Sequence, residues 1–149
     1  MDFFKPSFDA VEALLVGADL PVEDLPPDLE HFLAYGEQEA PDGVVGLEVF
    51  GEFALLRSLV VAKSFRGRGL GTRLVAAAED HARNQEVHEM FLLTDTAEQF
   101  FRSLGYESAD RAAAPASIRS TAQFTELCPA TAAFMSKRLM IDRGAPPTP

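Results

Sequence analysis

Apolar positions recur along the chain at two spacings, and the switches between them divide it into helix-like and strand-like runs. Val11, Leu14 and Leu15 share one face of a helix over Phe8 to Val16, which Ser7 can cap and Gly17 can end. A short element around Val22 to Leu25 is punctuated by Pro21, Pro26 and Pro27, and a strand follows over Glu30 to Gly36. GVVGLEVF (43–50) alternates Val45, Leu47 and Val49 against Val44, Gly46 and Glu48. A turn at Gly51-Glu52 joins it to FALLRSLVV (53–61), so the two runs form a hairpin. The second run is apolar on both faces, which places it centrally in a sheet.

The strongest helix runs from Gly69 to Asn84, with Leu70, Leu74, Ala78 and Ala82 at spacing four and Val75 beside them. Arg73, Glu79, Asp80 and Arg83 lie off that stripe and are expected at solvent. HEMFLL (88–93) reads as a strand. Asp95 and Glu98 then form a capping-box pattern before Ala97, Phe100, Phe101 and Leu104, with Gly105 as terminator. Strand, helix, strand, helix, strand from Phe53 to Ala109 implies a parallel pair joined by a right-handed crossover. Ala132 to Met140 supplies a last strand, and 142–149 (DRGAPPTP) is expected to be a disordered tail after a single domain over 1–141.

The 149 residues are 47% hydrophobic, enough apolar material to exclude a disordered chain. One cysteine excludes a disulfide framework and a cysteine-rich zinc site. His31, His81 and His88 show no metal-ligand spacing and are expected at the surface, so no metal is expected. No apolar run reaches the roughly 18 residues of a membrane span, and MDFFKPSFDA lacks a secretory pattern. A soluble cytoplasmic protein with no membrane partner is therefore expected.

Charge sharpens this picture through its distribution. The net charge is −10, yet residues 1–56 hold 13 acids and one base, whereas 57–73 hold five bases and no acid. The overall field repels nucleic acid, which is excluded as a partner. A small anion at the basic segment is not excluded.

Within that segment, Arg66-Gly67-Arg68-Gly69-Leu70-Gly71 joins the buried strand to the strongest helix. Alternate glycines let backbone approach a ligand, amides at a helix start point outward, and two arginines add charge-assisted donors. A diphosphate suits this turn. It is not a Walker loop, because no lysine precedes Thr72, and its GxGxG spacing misses the dinucleotide fingerprint. The simpler alternative is a tight turn solvated by arginines.

Arg66-x-x-Gly69-x-Gly71, after an apolar strand and opening an amphipathic helix, resembles the acyl-CoA signature of the GNAT (GCN5-related) N-acetyltransferases. TDTAEQFFRSLGY (94–106) resembles the second block of that family, N-x-x-A-x-x-F-Y-x-x-x-G-F. The resemblance implies an α/β (α+β) fold, a twisted mixed sheet of about six or seven strands flanked by helices. Acyl-CoA would lie in a splay between two central parallel strands ending near Val61 and Leu93. The backbone of Leu59, Val60 and Val61 would pair with pantetheine, and the amides of Arg66, Gly67, Arg68, Gly69, Leu70 and Gly71, with Thr72, would hold the diphosphate. Thr94 and Phe101 would complete the cofactor-contacting set. Acetyl would pass from acetyl-CoA directly to a small-molecule amine, with no acyl-enzyme, so Cys128 would be a packed residue rather than a nucleophile. The resemblance leaves a homodimer open.

Two positions depart from the family pattern. Phe101 stands where many members carry a tyrosine that protonates the departing thiolate, and Thr94 replaces an asparagine. A thiol with a pKa of about 8.5 leaves tolerably as thiolate, and Tyr106, Ser103 or water are substitute donors. Glu48 is the candidate base, with a solvent-facing strand residue as the alternative. Arg57 interrupts an apolar strand, with Ser58 on the opposite face; a buried guanidinium must hold a substrate carboxylate or pair with Glu48 across the hairpin. ADRAAAPASIRSTAQFTELCPATAAFMSK resembles the C-terminal part of a GNAT subgroup associated with arsenic-resistance operons, in which Arg111 and Arg119 would shape an anionic acceptor pocket. The expected activity is acetyl-CoA-dependent N-acetylation of a small amine, with an amino acid or an anionic arsenic- or phosphorus-containing amino-acid analogue as candidate acceptors. The alternative is an acyl-CoA-binding sensor or regulatory module with little turnover.

Overall fold

Ser7 starts the first helix as expected, accepting a hydrogen bond from the Ala10 amide at 3.2 Å to open α1 (Phe8–Gly17). The structure, a computed structural model, describes residues 3–20, 22–127 and 132–139. Pro21, Cys128, Pro129 and the expected tail over 142–149 lie outside them. Six strands form, five of them on the predicted runs: β1 (Phe32–Gly36), β2 (Pro41–Phe50), β3 (Phe53–Val61), β4 (Glu89–Thr94), the two-residue β5 (Glu107–Ser108) that element order implied, and β6 (Ala133–Arg138). Between them lie α2 (Leu70–Asn84), α3 (Glu98–Ser103) and the short α4 (Ala116–Arg119).

The strands form one sheet in the order β1-β2-β3-β4-β6-β5, in which β3 and β4 are parallel and every other pair is antiparallel. One face carries the stripe of α2, where Leu70, Leu74, Val75, Ala78 and Ala82 pack on Val45, Leu47, Ala54 and Leu56. On the other face, Val11 and Leu15 of α1 cover Phe32, Ala34, Val44 and Val60, and Ile118 of α4 covers Leu55, Phe91 and Phe134. Burial on both faces explains why β3 reads as a nearly continuous apolar run.

A bulge breaks that run where chemistry was expected. Val44 pairs with Val60 and Gly46 with Arg57, so Ser58 and Leu59 face Val45 alone, and Ser58 has φ +59°. The extra residue turns the Ser58 hydroxyl back beside Arg57, 3.0 Å from its Nε, instead of onto the opposite face.

Three further expectations change. Val22 to Leu25 is a turn, closed by the Leu25 amide on the Val22 carbonyl at 3.2 Å. Asp95 does not cap α3; the Thr94 hydroxyl instead accepts from the Ala97 amide at 3.0 Å. Glu79, expected at solvent, is only 6% exposed. Its carboxylate accepts from the Tyr106 hydroxyl at 3.0 Å and from Lys137 Nζ at 3.1 Å, tying α2 to β6 and to the turn after α3. A polar position off an apolar stripe is buried when a third element folds over it.

His31 and His81 also leave their expected surface roles, meeting with Nδ1 and Nε2 at 2.9 Å. Burial, then the neighbouring His31, hold the His81 pKa below its ordinary value, and Glu30 opposes them. The unfolded chain therefore takes up a proton on His81 where the folded chain does not. Stability falls as pH drops below the ordinary histidine value of about 6.5. In denaturant melts compared at about pH 7.5 and about pH 5.5, His81→Asn should lose less stability than the unchanged protein. An equal loss would exclude His81 as a source of the acid sensitivity.

Candidate functional site

The parallel β3–β4 ladder runs only from Phe53↔Glu89 to Leu55↔Phe91, although β3 continues to Val61 and β4 to Thr94. Past those rungs the strands part, and a cavity of about 950 Å³ opens between them. That volume is at the upper end of small-molecule pockets. Leu56 to Leu59 on β3 and Leu92 to Thr94 on β4 line it, with Ala97 and Phe101 beside them. Asp19, Leu20, Val22 and Glu23 of the segment after α1, with Gln123 and Ala132, complete much of the wall. Carbonyl and amide groups of β3 on its β4 side are thus left without a strand partner beyond Leu55 among the described residues.

At the far end of β3 the chain passes through a short 3₁₀ turn (Lys63–Phe65) into the glycine-rich turn. Gly67 and Gly69 have φ of +79° and +80°, and a Cβ at either would meet nothing within 4 Å. Backbone geometry, rather than crowding, requires glycine at both positions. Gly69 is the N-cap of the 15-residue α2 and gives it no side-chain cap, so the amides of the first turn point outward unsatisfied by the cap residue. Arg66 donates from Nε to the Val61 carbonyl at 3.1 Å, and Arg68 lies 5.4 Å from the Phe65 ring centre. Residues 66–69 are exposed, Leu70 is buried in the core, and Gly71 lies where an added Cβ would be 3.4 Å from Phe100. Arg66 to Thr72 form no part of the cavity wall; they lie beyond it along β3.

Arg57 is buried, with 1% of its side chain exposed. Nη1 donates to Asp24 Oδ2 at 2.7 Å and to Glu48 Oε2 at 2.8 Å, and Nη2 donates to Asp24 Oδ1 at 2.6 Å. With Nε on Ser58, four of its five N–H groups are directed at the chain's own oxygens. Gln123 Nε2 approaches both Asp24 oxygens at 3.4 and 3.5 Å. The cluster therefore joins the turn after α1, the β2–β3 hairpin and the segment before β6, with one more negative charge than positive. The ion pair with Glu48 is present, and Asp24 adds a second, bidentate one.

The expected site residues divide accordingly. Arg57, Ser58, Leu59, Thr94 and Phe101 meet at the cavity, whereas Glu48 stands behind Arg57, and Val60 packs against α1. Arg111 and Arg119 are not on the wall: Arg111 donates to the Ala132 carbonyl at 2.6 Å and lies over the Phe124 ring, and Arg119 is exposed. The substitute donors are elsewhere too. Ser103 bonds the Phe100 carbonyl at 2.6 Å, and Tyr106 is committed to Glu79, its phenol pKa raised by burial and then by that carboxylate. Asp24 and Gln123 were missed. The one sequence signal for Asp24 was the demand of a buried guanidinium for carboxylate partners.

Among the described residues no helix is long and apolar enough to cross a membrane, and no three acidic, histidine or cysteine side chains sit together as a metal site. The acetyltransferase (GNAT) domain model matches residues 27–108, more than half of the chain. A Bacillus subtilis (strain 168) protein that bears the name of an acetyltransferase is 34% identical over 83 residues, 55% of this chain and 56% of the relative. The chain thus spans about half the length of that relative. N-acetylglutamate synthase of Neisseria gonorrhoeae, complexed with coenzyme A and N-acetyl-glutamate, superposes with a TM-score of 0.78 at 18% identity, over 93% of this chain and 35% of the synthase. A Mycobacterium tuberculosis protein in complex with CoA superposes at 0.74 with 19% identity, over 94% of this chain and 100% of the other. Both likenesses confirm the fold, a mixed sheet splayed between its parallel strands. With the family model covering the strands that part and the glycine turn beyond them, the chain belongs to the GNAT acetyltransferase domain family.

Proposed function

We propose that the protein is an acetyl-CoA-dependent N-acetyltransferase acting on a small-molecule amine. The observation that carries this reading is the parting of β3 from β4 over a 950 Å³ cavity, with an uncapped glycine turn beyond it on the same strand. The open edge of Leu59 to Val61 would hold the pantetheine arm, and the amides of Arg66 to Gly71, with Thr72, the diphosphate. The amine nitrogen attacks the thioester carbonyl, the C–N bond forms, and the C–S bond breaks to release CoA thiolate. Before attack the ammonium gives one proton through water to the carboxylates that Arg57 holds, with Glu48, 24% exposed, as our assigned acceptor, and the second N–H proton leaves through water to solvent once the C–N bond has formed. Phe101 has no proton to give, so the thiolate takes its proton from solvent. From the sequence match over 109–137 we further propose that the chain belongs to the arsenic-associated subgroup; that membership carries no anionic acceptor here, because Arg111 and Arg119, expected to shape its pocket, are not on the cavity wall.

Incubation of purified protein with acetyl-CoA and a panel of amines should release free CoA thiol. Tight acetyl-CoA binding without release from any amine would overturn the enzyme reading and favour a CoA-binding sensor. Glu48→Gln should lower kcat about a hundredfold with little change in acetyl-CoA affinity. Replacing Gly69 with valine forces a β-branched residue to φ +80° at the cap. Acetyl-CoA affinity measured by calorimetry should fall at least about tenfold while far-UV circular dichroism is unchanged. Unchanged affinity would remove the turn from the site.

A further inference from the structure

The acceptor expected from sequence was anionic because Arg57 was free to hold a carboxylate and, by resemblance, Arg111 and Arg119 shaped its pocket; neither Arg111 nor Arg119 is on the cavity wall. In the folded chain the charge of Arg57 is already exceeded by Asp24 and Glu48, and the Nε donor is on Ser58. Arg57 is the sole base among the described residues of the cavity wall, which also carries Asp19, Glu23 and Asp95. A substrate carboxylate, phosphonate or arsonate would thus enter a space whose fixed charge, among the described residues, is negative and whose one base, Arg57, is already held by two carboxylates.

An independent feature concerns the rest of the acceptor. Among the described residues, Val16 at 58% and Leu20 at 37% are the large hydrophobics left exposed, and both lie on the cavity wall. Apolar side chains in the last turn of α1 and just after it that line a cavity are covered when an apolar ligand binds.

We infer that the acceptor is a primary amine, protonated in solution, with an apolar body and no anionic group beside its nitrogen. This rests on the transferase reading above and names its second substrate by chemical class. The acidic wall draws the ammonium in. Its proton leaves to the Asp24–Glu48 carboxylates through water, and the neutral nitrogen attacks. Val16 and Leu20 then cover the hydrocarbon. The same wall repels amino acids, because the α-carboxylate sits one carbon from the reacting nitrogen.

Matched pairs differing only in the carboxylate test this: isoamylamine against leucine, and phenethylamine against phenylalanine, with glutamate as a dianionic comparison. With thiol release as readout, kcat/KM for each amine should exceed that of its amino acid at least tenfold. Equal or better acetylation of leucine, phenylalanine or glutamate overturns the inference while leaving the transferase reading intact. If no compound releases thiol, the transferase reading fails, and calorimetry in the presence of CoA decides the inference separately. Binding of isoamylamine but not leucine supports it, whereas binding of leucine, or of neither, overturns it. Glu23→Gln, an exposed change, should narrow the amine preference about threefold. Asp24→Asn should narrow it further by freeing positive charge on Arg57, and an unchanged preference in both variants overturns the charge assignment. Ethylamine matching isoamylamine overturns the apolar part.

Discussion

Replacing Arg57 with methionine should lower the unfolding free energy by about 3 kcal/mol, read as a shift of the denaturant midpoint at pH 7. The guanidinium is 1% exposed and its carboxylate partners 15% and 24%, so its removal leaves two crowded negative charges with partial access to water. That access places the effect at the low end of the range for breaking a buried pair. Lysine should recover only part of the loss, since one ammonium cannot reproduce a bidentate grip on Asp24 and a bond to Glu48 together. Kinetics separate two roles. A residue that held substrate would raise the acceptor KM alone, whereas a clamp joining the turn after α1 to β3 should change acceptor and acetyl-CoA KM together. We expect the second pattern. An isolated rise in acceptor KM would return Arg57 to the role of a carboxylate ligand.

Glu79→Leu should also destabilise by about 3 kcal/mol, where a surface change would stay within about 0.5 kcal/mol. The carboxylate is buried between α2, Tyr106 and Lys137. Leucine leaves the Tyr106 hydroxyl, on a residue 1% exposed, without its acceptor and Lys137 without its counter-charge. Tyr106→Phe removes the hydroxyl along with its need for a partner and should cost only about 1 kcal/mol. Glu79→Gln should fall between, keeping an oxygen for Tyr106 but no charge for Lys137. If Glu79→Leu and a substitution at the exposed Asp80 proved equally mild, the three-way tie would not contribute to the fold.

How far the site was legible differs from residue to residue. Gly67 and Gly69 were readable because a glycine turn between a buried strand and an amphipathic helix has few backbone solutions, and both adopt the left-handed conformation that glycine favours. Phe101 was readable as core from the α3 stripe. Ser58 was not, because alternation assumes a regular pleat and the bulge at Ser58–Leu59 inverts the faces beyond it. Asp24 lies 33 residues from Arg57 in a proline-flanked turn with no periodicity, and Gln123 lies 99 residues from Asp24. Arg111 and Arg119 were assigned by likeness of sequence alone; Arg111 bonds the Ala132 carbonyl, Arg119 is exposed, and neither lines the cavity.

By itself the sequence determined α1, α2 and α3, the main strands, the β2–β3 hairpin, the parallel crossover and the glycine turn, but not the short α4. These follow from spacings of 2 and 3.6 residues and from local backbone preference, each decided within one element or between neighbours. Only the tertiary structure decided who pairs with Arg57, that Glu79 is buried, and that the cavity is acidic with an apolar rim. Those outcomes depend on sheet register, on one bulge, and on which distant segment folds over a given face. A buried charge is settled by whatever opposite charge the whole fold brings within about 3 Å of it, and no spacing along the chain encodes that distance.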